Sequence, residues 1–125
     1  MHAVLCPKKS FAQSGKFLKK DSSEIGGNWV GSSLCQVKDS PCHDEIVEYN
    51  ILRADAELYH VTMNKIVNGK IDFVGLVDCA YDETTKTLSF SGNDRIWQFT
   101  MNHSTMDGIL IWRGQLYRKI HLEKK

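Results

Sequence analysis

Residues 95–122 read RIWQFTMNHSTMDGILIWRGQLYRKIHL, and this stretch decides the fold. Arg95, Trp97, Phe99 and Met101 fall on alternate positions of a run over 95–101. Met106, Gly108, Leu110 and Trp112 do the same over 105–112, and Leu116, Arg118, Ile120 and Leu122 over 115–122. Period two is the spacing of a β-strand with one face turned to a core. Arg113-Gly114 leaves room only for a tight turn, so the last two runs form an antiparallel hairpin.

The same pattern extends back through the chain. Strands are expected over 28–38, 45–53, 57–66, 71–80 and 86–91, ahead of the three already named. Asn68-Gly69 is a strong type I′ hairpin signal, because both residues tolerate positive φ. Gly92-Asn93-Asp94 and the polar run Asp82–Lys86 supply further turns. Eight short strands with short connections predict an all-β, antiparallel, up-and-down barrel closed by pairing its first strand with its last. Gly27-Asn28-Trp29 opens the first strand and Tyr117-Arg118-Lys119 lies in the last. Trp29 is therefore expected to stack with Arg118 across the seam. Residues 1–25 are polar and read as a leader with one helical turn over 15–20, and residues 26–125 as the single barrel domain.

Net charge is +1, unevenly placed. Residues 1–20 carry five lysines and no acid, leaving −4 for the rest of the chain. A slightly acidic body lacks the clustered cations of a nucleic-acid-binding face. No apolar run approaches the roughly 20 residues of a membrane-spanning helix. Met1–Cys6 is too short for the apolar core of a signal peptide, although Ser10-Phe11-Ala12 has the small-residue character of a cleavage site.

The pairing of Gly27-x-Trp29 with Arg118 resembles the lipocalin-like calycin superfamily, and the resemblance implies a barrel that binds a small hydrophobic molecule. A more specific likeness is to a group of small bacterial proteins of unknown function. It rests on Trp29–Lys38, on Ser40-Pro41-Cys42-His43-Asp44-Glu45, on Asp78–Asp82, on Met106-Asp107-Gly108 and on Tyr117-Arg118-Lys119. That likeness implies an exported, periplasmic or secreted protein and no known activity. The group tends to have a cysteine on the strand after Cys79, where this chain has Leu88-Ser89-Phe90.

With the alternate faces turned inward, Trp29, Phe73, Trp97, Phe99 and Trp112 line the interior. Arg95 and Arg118 are then available to an acidic head group. An eight-stranded barrel has room either for its own side chains or for one small ligand, so the rival reading is a solid-cored interaction module. Cys35 and Cys42 flank the first hairpin and lie close enough in sequence to be bridged or to remain thiols. Cys42-His43-Asp44-Glu45 concentrates ligand-type residues, but neighbours on a strand point to opposite sides, so at most two serve one ion and no metal is expected. The bland reading has Pro41 shaping the turn, Asp44 bonding loop amides and Glu45 facing solvent. Gly27-x-Trp29-x-Gly31 also resembles the opening of nitrobindin-type haem barrels, which would require His60 or His103 as an iron ligand. Ser33, Cys35, His43 and Asp44 can be assembled into a catalytic group on paper, but their spacing is no recognised signature. No cofactor and no catalytic residue is expected.

Overall fold

The computed structural model describes residues 25–125. The expected basic leader and its helical turn lie outside the described residues. Eight strands follow in order: β1 Gly27–Cys35, β2 Glu45–Arg53, β3 Leu58–Val67, β4 Lys70–Asp82, β5 Thr87–Gly92, β6 Arg95–Asn102, β7 Thr105–Trp112 and β8 Gln115–Lys124. Each pairs antiparallel with the next, and β1 pairs with β8, so the sheet is a closed barrel.

Turn chemistry explains the connections. Asn68 and Gly69 have φ of 54° and 77°, and Arg113 and Gly114 have 53° and 79°. These are the positive values a two-residue hairpin of the right twist demands. The β5–β6 turn is centred on Asn93 and Asp94, both at positive φ, and Gly92 belongs to β5.

Inside the barrel, Trp29, Val47, Tyr49, Ile51, Tyr59, Val61, Met63, Cys79, Tyr81, Leu88, Phe99, Met101, Met106, Ile120 and Leu122 form one buried cluster. Ile25 belongs to it as well, fully buried ahead of β1, and its carbonyl accepts a 2.9 Å hydrogen bond from the Trp29 indole N–H. Two glycines permit close approaches. A Cβ on Gly31 would lie 1.7 Å from the His121 carbonyl oxygen of β8, and one on Gly108 would lie 2.3 Å from the Phe99 ring.

The structure corrects the seam. Trp29 pairs in register with Lys124, and Cys35 with Arg118. The cation over the Trp29 ring is accordingly Lys124 Nζ, 5.7 Å from the centroid, and Arg118 lies at the far end of β1. The stagger of a closed barrel sets this offset, and alternation along single strands does not reveal it.

Two register shifts correct the face assignments. Between β3 and β4, Met63 faces Gly75 but Asn64 faces Phe73, so Val74 is an extra residue. Between β7 and β8, Leu110 faces Arg118 but Ile111 faces Leu116, so Tyr117 is extra. Each β-bulge flips the parity of the residues beyond it. Ile71 and Phe73 therefore point outward and are 64% and 63% exposed, and Leu116 is turned out likewise.

Candidate binding site at the open end of the barrel

The two ends of the barrel differ. Trp29, Ile51, Tyr59, Tyr81, Leu88, Met106 and Leu122 pack the end that carries the β2–β3, β4–β5 and β6–β7 turns, and they are buried. The opposite end, beneath the β1–β2, β3–β4, β5–β6 and β7–β8 connections, holds half-buried aromatics and an ionic network.

The network centres on Arg118, whose side chain is only 12% exposed. Its guanidinium donates to the Ser33 carbonyl at 3.1 Å and to Ser33 Oγ at 3.2 Å, which ties β8 to β1. Glu45 Oε2 lies 3.6 Å from Arg118 Nη2 and 4.0 Å from Lys65 Nζ. Glu45 thus points into the barrel mouth, where the sequence reading had it facing solvent, because it opens β2 on the same face as Val47 and Tyr49. Tyr49 sits below. Burial pushes its phenol pKa well above the usual tyrosine value, against the opposing pull of Arg118 and of a side-chain hydrogen bond with Trp97. The phenol is held neutral.

Aromatic rings continue the wall. Trp97 lies 5.8 Å from Phe90 between centroids, and Trp112 lies 5.4 Å from Tyr117. Arg113 and Arg95 place their guanidiniums 4.9 Å and 5.8 Å from the Trp112 ring centroid. Arg113 also ties the β7–β8 turn to the β5–β6 turn: its backbone N–H donates to the Asp94 carbonyl at 2.8 Å, and its Nε lies 3.7 Å from Asp94 Oδ2.

On the other side the wall is breached. β4 and β5 pair only from Ala80 to Asp82 against Thr87 to Ser89. Beyond that point the strands part, leaving a cleft of about 660 Å³. Outward residues such as Leu76, Asp78 and Ile96 line it together with Val77 and Phe90, which share the inner faces of their strands with Cys79 and Leu88. The cleft therefore reaches from the outer surface to the aromatic wall. No family model, curated protein or solved structure matches this chain.

Of the seven residues singled out in the sequence, Arg95, Trp97, Trp112 and Arg118 come to this end of the barrel. Trp29 and Phe99 lie in the packed core, and Phe73 stands on the outer surface beyond the β4 bulge. Phe90, Glu45, Lys65 and Arg113 were missed. Alternation over 86–91 places Phe90 with Leu88 and is the one signal that marks it in advance.

The rival sites look different in three dimensions. Cys35 and Cys42 are joined in a disulfide, their Cα atoms 5.8 Å apart, so Cys35 offers no thiolate to a catalytic group. Asp44 Oδ1 accepts from the Cys35 backbone N–H at 2.9 Å, so it bonds a backbone amide, though one at the end of β1 rather than in the loop. His43 is exposed, its Nδ1 3.5 Å from the carbonyl oxygen of Asp44. His60 Nδ1 lies 2.6 Å from Asp78 Oδ1 at the barrel surface, and His103 occupies the β6–β7 turn at φ 60°. Neither histidine is placed to hold a haem iron inside the barrel. No group of three or more metal-ligand side chains converges among the described residues, nor is any described helix long and apolar enough to cross a membrane.

Proposed function

We propose that the protein is a lipocalin-like barrel that binds one small, largely apolar molecule at its open end. The observation that carries this reading is the cleft between β4 and β5. Its volume falls within the roughly 300–1,000 Å³ of ligand pockets, and it leads from solvent to Val77 and to the half-buried ring of Phe90, behind which Trp97 stands 5.8 Å away between centroids. Val77, Phe90, Trp97 and Trp112 form the apolar wall. Arg95 is the cation for an acidic group on the ligand, since Arg118 is already engaged by Glu45 and Ser33. The disulfide suits an oxidising compartment, in keeping with an exported protein.

Titration with 8-anilinonaphthalene-1-sulfonate and with dodecanoate, followed by dye emission and tryptophan quenching, tests the reading. Saturable one-to-one binding, weakened at least tenfold by Trp97→Ala and weakened for dodecanoate by Arg95→Gln, is the expected result. Absence of saturable binding of either probe would overturn it. The packing of Trp29 and Phe99 favours a second reading, a solid-cored barrel that works through its outer surface; that barrel would bind neither probe.

A further inference from the structure

Of the ten large apolar side chains that stand exposed among the described residues, only Leu52 lies in the packed half of the barrel. Cross-strand register sets four of the others, with half-buried Ile66 and Ile111, in two rows on the outer face of the open end. On one side Ile46 faces Ile66 and Ile66 faces Ile71, so three isoleucines cross β2, β3 and β4. On the other, Ile96 faces Ile111 and Ile111 faces Leu116, across β6, β7 and β8. Phe73 takes the next outward position after Ile71, which deepens the band on β4 to about 7 Å at the rise of a strand. At the packed end the corresponding rows are polar but for Leu52. There Leu52 faces His60 and His60 faces Asp78, while Asn102, Thr105 and Glu123 line up across β6, β7 and β8.

Cations accompany both rows. Lys70 precedes Ile71, Arg95 precedes Ile96, and Arg113 lies in the turn between Ile111 and Leu116. The acids near them are engaged: Asp94 lies 3.7 Å from Arg113 Nε, and Asp72 stands opposite Lys65 in register. Farther along β4, Asp78 Oδ1 lies 2.6 Å from His60 Nδ1. The β1–β2 connection, with Asp39 and Asp44 against Lys38, is the exception. The two ends differ in sign. In or beside the packed-end turns stand Asp55, Glu57, Asp82 and Glu83 against Arg53 and Lys86. Lys124 and Lys125, also at that end, are engaged by the Trp29 ring and by Glu48.

We infer that the open end docks on the surface of an anionic lipid bilayer, with the two apolar rows in the interfacial layer and Lys70, Arg95 and Arg113 at the headgroups. A plane fits this distribution. The rows lie on opposite sides of the mouth, on β2–β4 and on β6–β8, and a protein seated on one flank would cover only one of them. Interfacial elements bury their apolar face by about 5–10 Å, which matches the depth of the band, and cations beside it are drawn to anionic headgroups. Trp112, with Arg95 and Arg113 over its ring, is an aromatic of the kind that settles at headgroup level. Beyond the rows Glu48 and Asn64 face outward on one side, and Gln98 and Lys119 on the other. The barrel therefore rests on the surface and does not cross it. Ile96 also lines the β4–β5 cleft, which opens beside the docked face.

Co-sedimentation of the full chain with vesicles tests the docking, using phosphatidylcholine alone and phosphatidylcholine mixed with phosphatidylglycerol. Saturable binding to the mixed vesicles is expected, at least tenfold tighter than to the neutral ones. The double variant Ile71→Glu, Ile96→Glu, with one change in each row, should bind the mixed vesicles at least tenfold more weakly. Leu52→Glu, exposed to a similar degree at the packed end, should bind as wild type does. Thermal melts of all three proteins confirm that the barrel remains folded. Failure of the wild type to bind mixed vesicles overturns the inference, whether or not the chain self-associates. Equal binding to both kinds of vesicle overturns it too, as does an equal loss in Leu52→Glu. So does undiminished binding by the double variant, the result expected if the five lysines of residues 1–20 carry the attraction alone. Docking does not need an occupied cleft, so dodecanoate binding, measured without vesicles, holds or fails separately.

Discussion

Gly31 is the position where the barrel is least able to accept a side chain. It lies on β1 opposite Leu122 of β8, and a Cβ there would fall 1.7 Å from the His121 carbonyl oxygen and 2.9 Å from Leu122 Cα. All the obstructing atoms belong to the backbone, so no side-chain rotation relieves the clash. In Gly31→Ala, β1 and β8 must separate locally. Losing about two ladder hydrogen bonds costs about 1–3 kcal/mol, and the accompanying overpacking costs about 1–3 kcal/mol more. A loss of about 2–6 kcal/mol is expected, a large share of the roughly 5–15 kcal/mol available to a domain. Gly75 is the internal control. Nothing lies within 4 Å of its Cβ position and its φ is not left-handed, so Gly75→Ala should be neutral or gain about 0.4–1 kcal/mol. Urea unfolding followed by tryptophan emission measures both. A Gly31→Ala protein within about 1 kcal/mol of wild type would refute the close β1–β8 packing; so would an equal loss in Gly75→Ala.

Reducing the Cys35–Cys42 disulfide, or replacing both cysteines with serine, should lower stability by about 2–3 kcal/mol, the entropy of so short a closed loop, as read from urea curves with and without reductant. Trp29→Phe keeps an aromatic ring but strands the buried Ile25 carbonyl. It should cost about 1–3 kcal/mol by the same assay. His121 has its pKa raised by hydrogen bonds to Asp107, 2.6 Å away, and then to Glu123. Its contribution is fully present below pH about 6.5, the unfolded value, and fades as pH rises through the folded value. At this exposed site it should stay below about 1 kcal/mol. Melting temperatures at pH 5.5 and 8.5 should differ by less in His121→Gln than in wild type.

Most of the scaffold was legible because its signals are local. Asn68-Gly69 tolerates the positive φ of a two-residue turn and Arg113-Gly114 leaves room for no longer one, and alternation along β6 and β7 places Trp97, Phe99 and Met106 without reference to any other strand. The errors arose where information is non-local. Val74 and Tyr117 are apolar or aromatic residues inside β-patterned runs, and nothing in their own chemistry announces an extra residue. Each unrecognised insertion reversed the expected faces beyond it, Val74 those of Ile71 and Phe73 and Tyr117 that of Leu116. The exchange of Arg118 for Lys124 over Trp29 has the same root, since barrel stagger is a property of all eight strands together. Glu45 is a different case: alternation with Val47 and Tyr49 turns it inward, but a carboxylate there is explained only by Arg118 and Lys65 on other strands. At the site, the ring-bearing positions of β6 and β7 were visible in sequence, but the cleft was not. It exists only because one ladder stops early.

The pairing of β1 with β8 has a consequence in time. During synthesis β1 emerges first, and its permanent neighbour is made only after every other strand. Trp29 and Ile25 can be covered on one side by β2 while the other edge of β1 waits. The barrel thus cannot close progressively behind the ribosome. Closure is a late, long-range event of high contact order, and such pairings form slowly. Until Arg118 reaches Ser33 and Lys124 reaches Trp29, the nascent sheet is an open ribbon with an apolar inner face. That interval, rather than the finished barrel, is when an exposed apolar face and two unpaired edges most favour aggregation.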